Sequence, residues 1–243
     1  SVSLRREVSV AKYKRFFSAL RLDVDQIWAD RSLAGHVADL LTRRPGSRRA
    51  VIQLFDAEDI AIEKKEIPCT TTMQFHLRED RLHMSATMRS NDAYWGLPHD
   101  IFCFTMLQEM FACRLGVRLG TFIHHVGSMH IYDEYIEAAK RYTDEGHQRP
   151  NEMPEMPSGN PFELTPALLD AERRIRDGES FTAEDAVDDS YWADIVRLLQ
   201  VHWARRRREE GRCVHEGGGE YMDSLARCPL GRRLGLFFAR SIT

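Results

Sequence analysis

The sequence predicts an α+β protein, a mixed sheet covered by helices, with a helical extension at its C-terminal end. Three observations carry this expectation. Apolar, β-branched runs at 49–55 (RAVIQLF), 73–77 (MQFHL) and 82–88 (LHMSATM) read as strands. Around them, 33–42 (LAGHVADLLT) and 101–115 (IFCFTMLQEMFACRL) are helical in spacing or length. Past the proline-broken stretch NEMPEMPSGNP at 151–161, the chain becomes charged and helical.

Taken in order, residues 4–20 place apolar positions at mixed helical spacing, and the amphipathic helix at 33–42 stops before Pro45–Gly46. RAVIQLF opens the sheet. The runs MQFHL and LHMSATM flank the polar turn Arg78-Glu79-Asp80-Arg81 and form a hairpin. The helix at 101–115 is apolar on nearly every side and is predicted to be buried, while GTFIHHVGSMHIY at 120–132 returns as strand. Residues 1–150 then form the core, and 151–243 a mostly helical extension packed on it. Within the extension, SYWADIVRLLQVHW sets Trp192, Ile195, Leu198, Leu199 and Trp203 on one helix face, with Arg205–Arg208 as its solvated end.

A chain of 243 residues, 43% hydrophobic and 29% charged, has room for a substantial core. Its net charge of −3 and pI near 6.4 give no global attraction to nucleic acid or anionic membranes, and a small anionic substrate fits better. No apolar run reaches the ~20 residues that span a bilayer. The segment SVSLRREVSV lacks the apolar core of a signal peptide, so a cytoplasmic location is expected. Five cysteines, an odd number without framework spacing, suit a reducing compartment and no disulfides. No metal is expected, because Cys213, His215 and Cys228 match no zinc spacing and His124–His125 read as strand residues.

Cys69 stands between Pro68 and Thr70-Thr71-Thr72 at a strand entrance, whereas Cys103 and Cys113 fall inside the long helix. A thiol at a strand end can face a cleft and act as a nucleophile where positive charge favours its thiolate. Arginines supply such charge at Ser47-Arg48-Arg49 and at Arg89-Ser90-Asn91-Asp92. The planar guanidinium accommodates a phosphate with two parallel hydrogen bonds, and an adjacent serine adds a hydroxyl donor.

GSRRAVI, PCTTTMQF, MRSNDAYWGLPHDI and VGSMHIY, in this order and spacing, resemble the thymidylate synthases across roughly residues 33–135. The resemblance implies a thymidylate synthase-like fold with Cys69 as the nucleophile that adds to pyrimidine C6. It implies that Arg89 and Ser90 bind the nucleotide phosphate, with Gln74 and Asn91 also in the substrate site. His130 and Tyr132 would hold the sugar hydroxyl, and Asp92 would face the folate. It further implies a homodimer with sheets back to back, in which Arg48 and Arg49 reach the phosphate in the partner's site.

The departures bear on the substrate. Thymidylate synthases have asparagine where this chain has Asp100, and that amide reads the O4 and N3 edge of uracil. Cytosine presents an amino donor at C4 and an acceptor at N3, which a carboxylic acid can match. A purely structural reading of Asp100 is a helix N-cap before IFCFTML. With its neighbouring motifs, Asp100 looks like the cytidylate and deoxycytidylate 5-hydroxymethylases, including that of nucleoside-antibiotic biosynthesis. The reaction implied uses 5,10-methylenetetrahydrofolate as co-substrate, with CMP favoured over dCMP on Arg-rich, Lys-poor charge usage. Glu7, in Arg6-Glu7-Val8 ahead of Ile27-Trp28, resembles the family's catalytic glutamate and is the candidate water-activating base. A thymidylate synthase acting on dUMP and a non-catalytic nucleotide-binding relative are the competing readings.

Overall fold

The structure is a computed structural model that describes residues 33–55, 57–61, 67–146 and 153–209. The chain divides into two compact units, one running to His147 and including Ser158–Asn160, the other formed by Gln148–Pro157 and the residues from Pro161 onward. Glu7, Ile27-Trp28, Cys213, His215 and Cys228 lie outside the described residues.

In the first unit, helix α1 (Leu33–Arg43) precedes β1 (Val51–Gln53) and the short α2 (Glu58–Ala61). The expected hairpin forms from β2 (Thr70–Arg78) and β3 (Arg81–Met88), with a two-residue turn in which Glu79 and Asp80 take φ of 49° and 56°. Positive φ at both turn residues matches the twist of the flanking strands. Then come β4 (Asn91–Asp92), helix α3 (Gly96–Leu115), β5 (Arg118–Val126), β6 (Met129–His130), a 3₁₀ turn and α4 (Ile136–Asp144).

The main sheet has the order β1-β2-β3-β5, antiparallel except for the parallel β3–β5 pair, and is therefore mixed as expected. A separate two-stranded parallel pair joins β4 to β6. Met73, Phe75, Leu82, Met84, Ala86 and Met88 alternate along β2 and β3 onto one buried face. Helices α1 and α3 cover that face, with Phe111 of α3 4.6 Å from Phe75, ring centre to ring centre. Each such ring removed from water contributes about 1.5–3 kcal/mol.

Three expectations for this unit are corrected here. The long helix begins at Gly96 rather than 101, so Asp100 is its fifth residue and not its N-cap. Pro98 is tolerated in this first turn because it replaces an N–H with no helical partner. Nor is the helix buried all round: Phe104, Gln108, Met110 and Phe111 face inward, but Ile101 and Phe102 are 40% and 41% exposed. Its apolar residues exceed what one packed side requires. The strand expected over 120–132 is also two pieces, since Gly127–Ser128 breaks it between β5 and β6.

In the second unit, α5 (Thr165–Asp177) and α6 (Ser190–Glu209) pack together, with Gly178 ending α5 at φ 89°. The most buried residues of α6 are Tyr191, Trp192, Ala193, Val196, Gln200 and Val201, so of the expected stripe Trp192 is among them. Ile195, Leu198, Leu199 and Trp203 are half-buried. Gln200 is a polar member of the packed face, its amide donating to the Phe181 carbonyl at 2.9 Å. No described helix is long and apolar enough to cross a membrane.

Candidate active site

Cys69 is exposed, immediately before β2, and a bulge in that strand determines how it is presented. Thr70 pairs with Met88 and Thr72 with Thr87, so Thr71 is the extra residue. Its hydroxyl donates to the Thr87 carbonyl at 2.9 Å, and its own carbonyl accepts from Leu54 at 2.9 Å and Phe55 at 3.3 Å. The bulge is thus pinned on both sides and turns the strand end outward at the thiol.

Arg89 holds the loop that carries Cys69. Its backbone N–H donates to the Cys69 carbonyl at 2.9 Å, its Nε to the Pro68 carbonyl at 3.0 Å, and Nη2 to the Ile67 carbonyl at 3.2 Å. A guanidinium has five N–H donors, so this exposed side chain keeps others for an anion. Next to it, Ser90 Oγ lies 3.4 Å from His130 Nδ1, and the His130 ring meets Tyr132 edge-on at 4.9 Å. The β4–β6 pair, with Asn91 N–H to the Ser128 carbonyl at 2.9 Å and Ala93 N–H to the His130 carbonyl at 2.8 Å, brings the two motifs together.

Gly127 suits this close crossing, because an added Cβ would sit 3.1 Å from the Arg89 carbonyl oxygen and push the two segments apart by a few tenths of an ångström. Asn91 is buried, and its amide nitrogen has no partner among the described residues. An unpartnered buried donor is unusual and suits an acceptor on a bound molecule. Asp92 is 6% exposed, with both carboxylate oxygens on backbone N–H groups: Oδ1 on Tyr94 at 3.1 Å, Oδ2 on Trp95 at 2.9 Å and Gly96 at 3.2 Å. It therefore anchors the start of α3, an electrostatically favourable place for a carboxylate. Half-buried Asp100 lies one turn beyond Gly96, at this same anchored end.

Gln74 belongs to a different group. It lies in mid-β2, where its Nε2 donates to the Arg48 carbonyl at 3.2 Å, fixing the loop that carries exposed Arg48 and Arg49. The sequence had not singled out an aromatic wall beside the site. Tyr94 stacks on Tyr135 at 5.1 Å and meets Trp95 edge-on at 5.2 Å, with Tyr142 at 5.6 Å. Burial first, then the hydrogen bond with Tyr142, pushes the Tyr94 phenol above its ordinary value. Trp95 and Tyr132 remain 42% and 56% exposed, offering ring faces to a planar ligand. Cys113 contrasts with Cys69, since burial and then the nearby Glu109 charge push its thiol up and away from reactivity.

An exposed thiol beside a pinned bulge, an arginine gripping its loop, and a neighbouring Ser–His pair define a cysteine-centred site on a mixed α+β sheet. The chain belongs to the thymidylate synthase family, whose family model matches residues 15–162. The thymidylate synthase of Symbiobacterium thermophilum is 32% identical over 117 residues, 48% of this chain and 41% of that protein. Among solved structures, thermostable thymidylate synthase A from Bacillus subtilis is similar with a TM-score of 0.45 and 27% identity, covering 51% of this chain and 43% of that one. These matches span less than half the length of either relative.

Proposed function

We propose that this chain transfers a one-carbon unit to C5 of a cytidine monophosphate, CMP in preference to dCMP, and releases the 5-hydroxymethyl nucleotide. The observation that carries the reading is the convergence of Cys69, Arg89, Ser90 and His130 at the bulged end of β2. Asp100, at the anchored end of α3, selects the base.

Pyrimidine C5 is a weak nucleophile. Attack of the Cys69 thiolate forms a bond to C6 and leaves C5 enamine-like. Arg89 and Ser90 hold the phosphate, with Arg48 and Arg49 of a second subunit completing its neutralisation in a homodimer. His130 and Tyr132 take the sugar hydroxyl. Asp100 accepts from the C4 amino group and donates to N3, matching cytosine. Bound 5,10-methylenetetrahydrofolate supplies the one-carbon unit; the exposed faces of Trp95 and Tyr132 suit its planar rings, and the Asn91 amide suits an acceptor on either ligand. Loss of the C5 proton and departure of tetrahydrofolate leave a methylene group at C5; water adds to it, with Glu7 as the base that takes its proton, and elimination of the Cys69 thiolate restores the aromatic ring.

The relatives' names favour a second reading, thymidylate synthesis from dUMP. Incubation with CMP, dCMP and dUMP labelled at C5 separates the two. Folate-dependent release of the C5 hydrogen from cytidylates, with a hydroxymethyl product and no dihydrofolate, is expected. Release from dUMP with dihydrofolate formation establishes the second reading, and no release from any nucleotide excludes both.

A further inference from the structure

Strands β1, β2, β3 and β5 read VIQ, TTTMQFHLR, RLHMSATM and RLGTFIHHV: four histidines, three arginines and no carboxylate. His124 shares the helix-covered side, against Phe104 and Phe122. The other three alternate with buried residues and occupy the opposite face. His76 pairs across the strands with His83, and His125 with Thr87. Val51 and Ile123 on that face are 38% and 46% exposed, while α1 and α3 stand on the other side of the sheet.

Gln74, paired with Ser85 in the same face, holds the Arg48 carbonyl. The loop whose arginines the homodimer reading sends into the neighbouring site thus borders this surface. On the homodimer reading, in which the sheets pack back to back, a second copy of the chain seats on this face; we propose that the histidines make that association proton-dependent, firm when the imidazoles are neutral and loosened when they are charged. The inference rests on the homodimer reading above.

Twofold contact brings a face against its own copy, so any charge on it meets the same charge. Imidazoles gain protons between about pH 8 and pH 5. Among the described residues of these strands the other charged groups are all arginines. Arg78 and Arg81 extend the rows of His76 and His83, Arg48 and Arg49 stand on the bordering loop, and the hairpin turn carries Glu79 and Asp80. Asp80 is already 3.6 Å from Arg118. From β1 come only Val51 and Gln53. Burial, then the Arg78 charge, then His83, hold the His76 imidazole below its ordinary value, consistent with a surface that resists added positive charge.

His83 also has a structural task, since its Nδ1 accepts the Thr121 N–H at 3.0 Å, so the test leaves it in place. Sedimentation of the full chain in a dilution series at about pH 8 and about pH 5.5, at fixed ionic strength, reads the dimer dissociation constant. Circular dichroism at both values establishes that the chain is folded. The native chain should dimerise at least roughly tenfold more weakly at the lower pH, and His76→Gln/His125→Gln should lose most of that difference. The single variant His125→Gln, at an exposed position, should lose part of it. A native dimer indifferent to pH, or variants as sensitive as the native chain, overturns the inference and leaves the homodimer standing. A monomer at both pH values overturns the homodimer reading as well.

Discussion

At the scale of single residues, Cys69 and Asp100 separate chemistry from selection. Cys69 is exposed, so Cys69→Ser should leave the folded state intact while lowering C5 hydrogen release by roughly 10³-fold or more. Equal thermal midpoints with unequal rates are the expected pair of measurements. Asp100→Asn should cut cytidylate turnover by about 10²-fold or more and admit dUMP, because an amide cannot give N3 of cytosine the proton that thiolate attack calls for, whereas its donor and acceptor match the O4 and N3 edge of uracil. Parallel kcat/KM values for CMP and dUMP would show it. Cys69, Arg89 and Ser90 could be singled out because the motifs PCTTT and RSND are short and contiguous, and the structure brings the two together. The Arg89 clamp on the Ile67 and Pro68 carbonyls was not legible, since it joins positions more than twenty apart in the chain through backbone atoms that any residue possesses. Asp92 offers another such case: its sequence context fits ligand binding, but its carboxylate engages three amides of the following turn.

At the scale of elements, the β3–β5 pair depends on an irregularity that no period reveals. Its register shifts between Leu82 and Met84, and both sides of the shift are filled. On one side Gln108 donates to the Leu82 carbonyl at 2.8 Å and approaches the Gly120 carbonyl at 3.4 Å; on the other, the His83 ring accepts the Thr121 N–H. A Cβ at Gly120 would come within 2.8 Å of the His83 ring and of the Leu82 carbonyl oxygen, so Gly120→Ala should destabilise the fold by about 1–3 kcal/mol in urea denaturation. Neighbouring His124 has both ring nitrogens buried without partners, and burial, then His125, pushes its imidazole below 6.5. The folded chain therefore binds fewer protons there than the unfolded one. Stability should fall as the pH drops from 6.5 toward the lowered folded value, with no change from this ring above 6.5, and His124→Phe should flatten that part of the curve. The hairpin was readable from two apolar runs flanking a polar turn. The start of α3 was not, because Gly96 and Pro98 read as breakers while Asp92, four residues earlier, supplies the anchor that lets the helix begin there.

At the scale of the whole molecule, the proposed phosphate site needs two copies of the chain. Arg89 and Ser90 stand beside Cys69, while Arg48 and Arg49 are grouped with Gln74 on a separate loop. If the second pair acts in the neighbouring subunit, a defect in Cys69 and a defect in Arg49 fall in different sites of a mixed dimer. Cys69→Ser and Arg49→Ala should each be inactive or nearly so alone. After the two are mixed and allowed to exchange subunits, half the dimers carry one of each. In every such dimer one site collects both defects and the other collects none, so activity should recover to about a quarter of the native value. Recovery requires exchange, so mixing under conditions that keep each homodimer intact should give none. If Arg49 instead serves its own chain's site, every site in the mixed dimer keeps one defect. Activity then stays at the level of the separate variants, and the shared phosphate site is excluded.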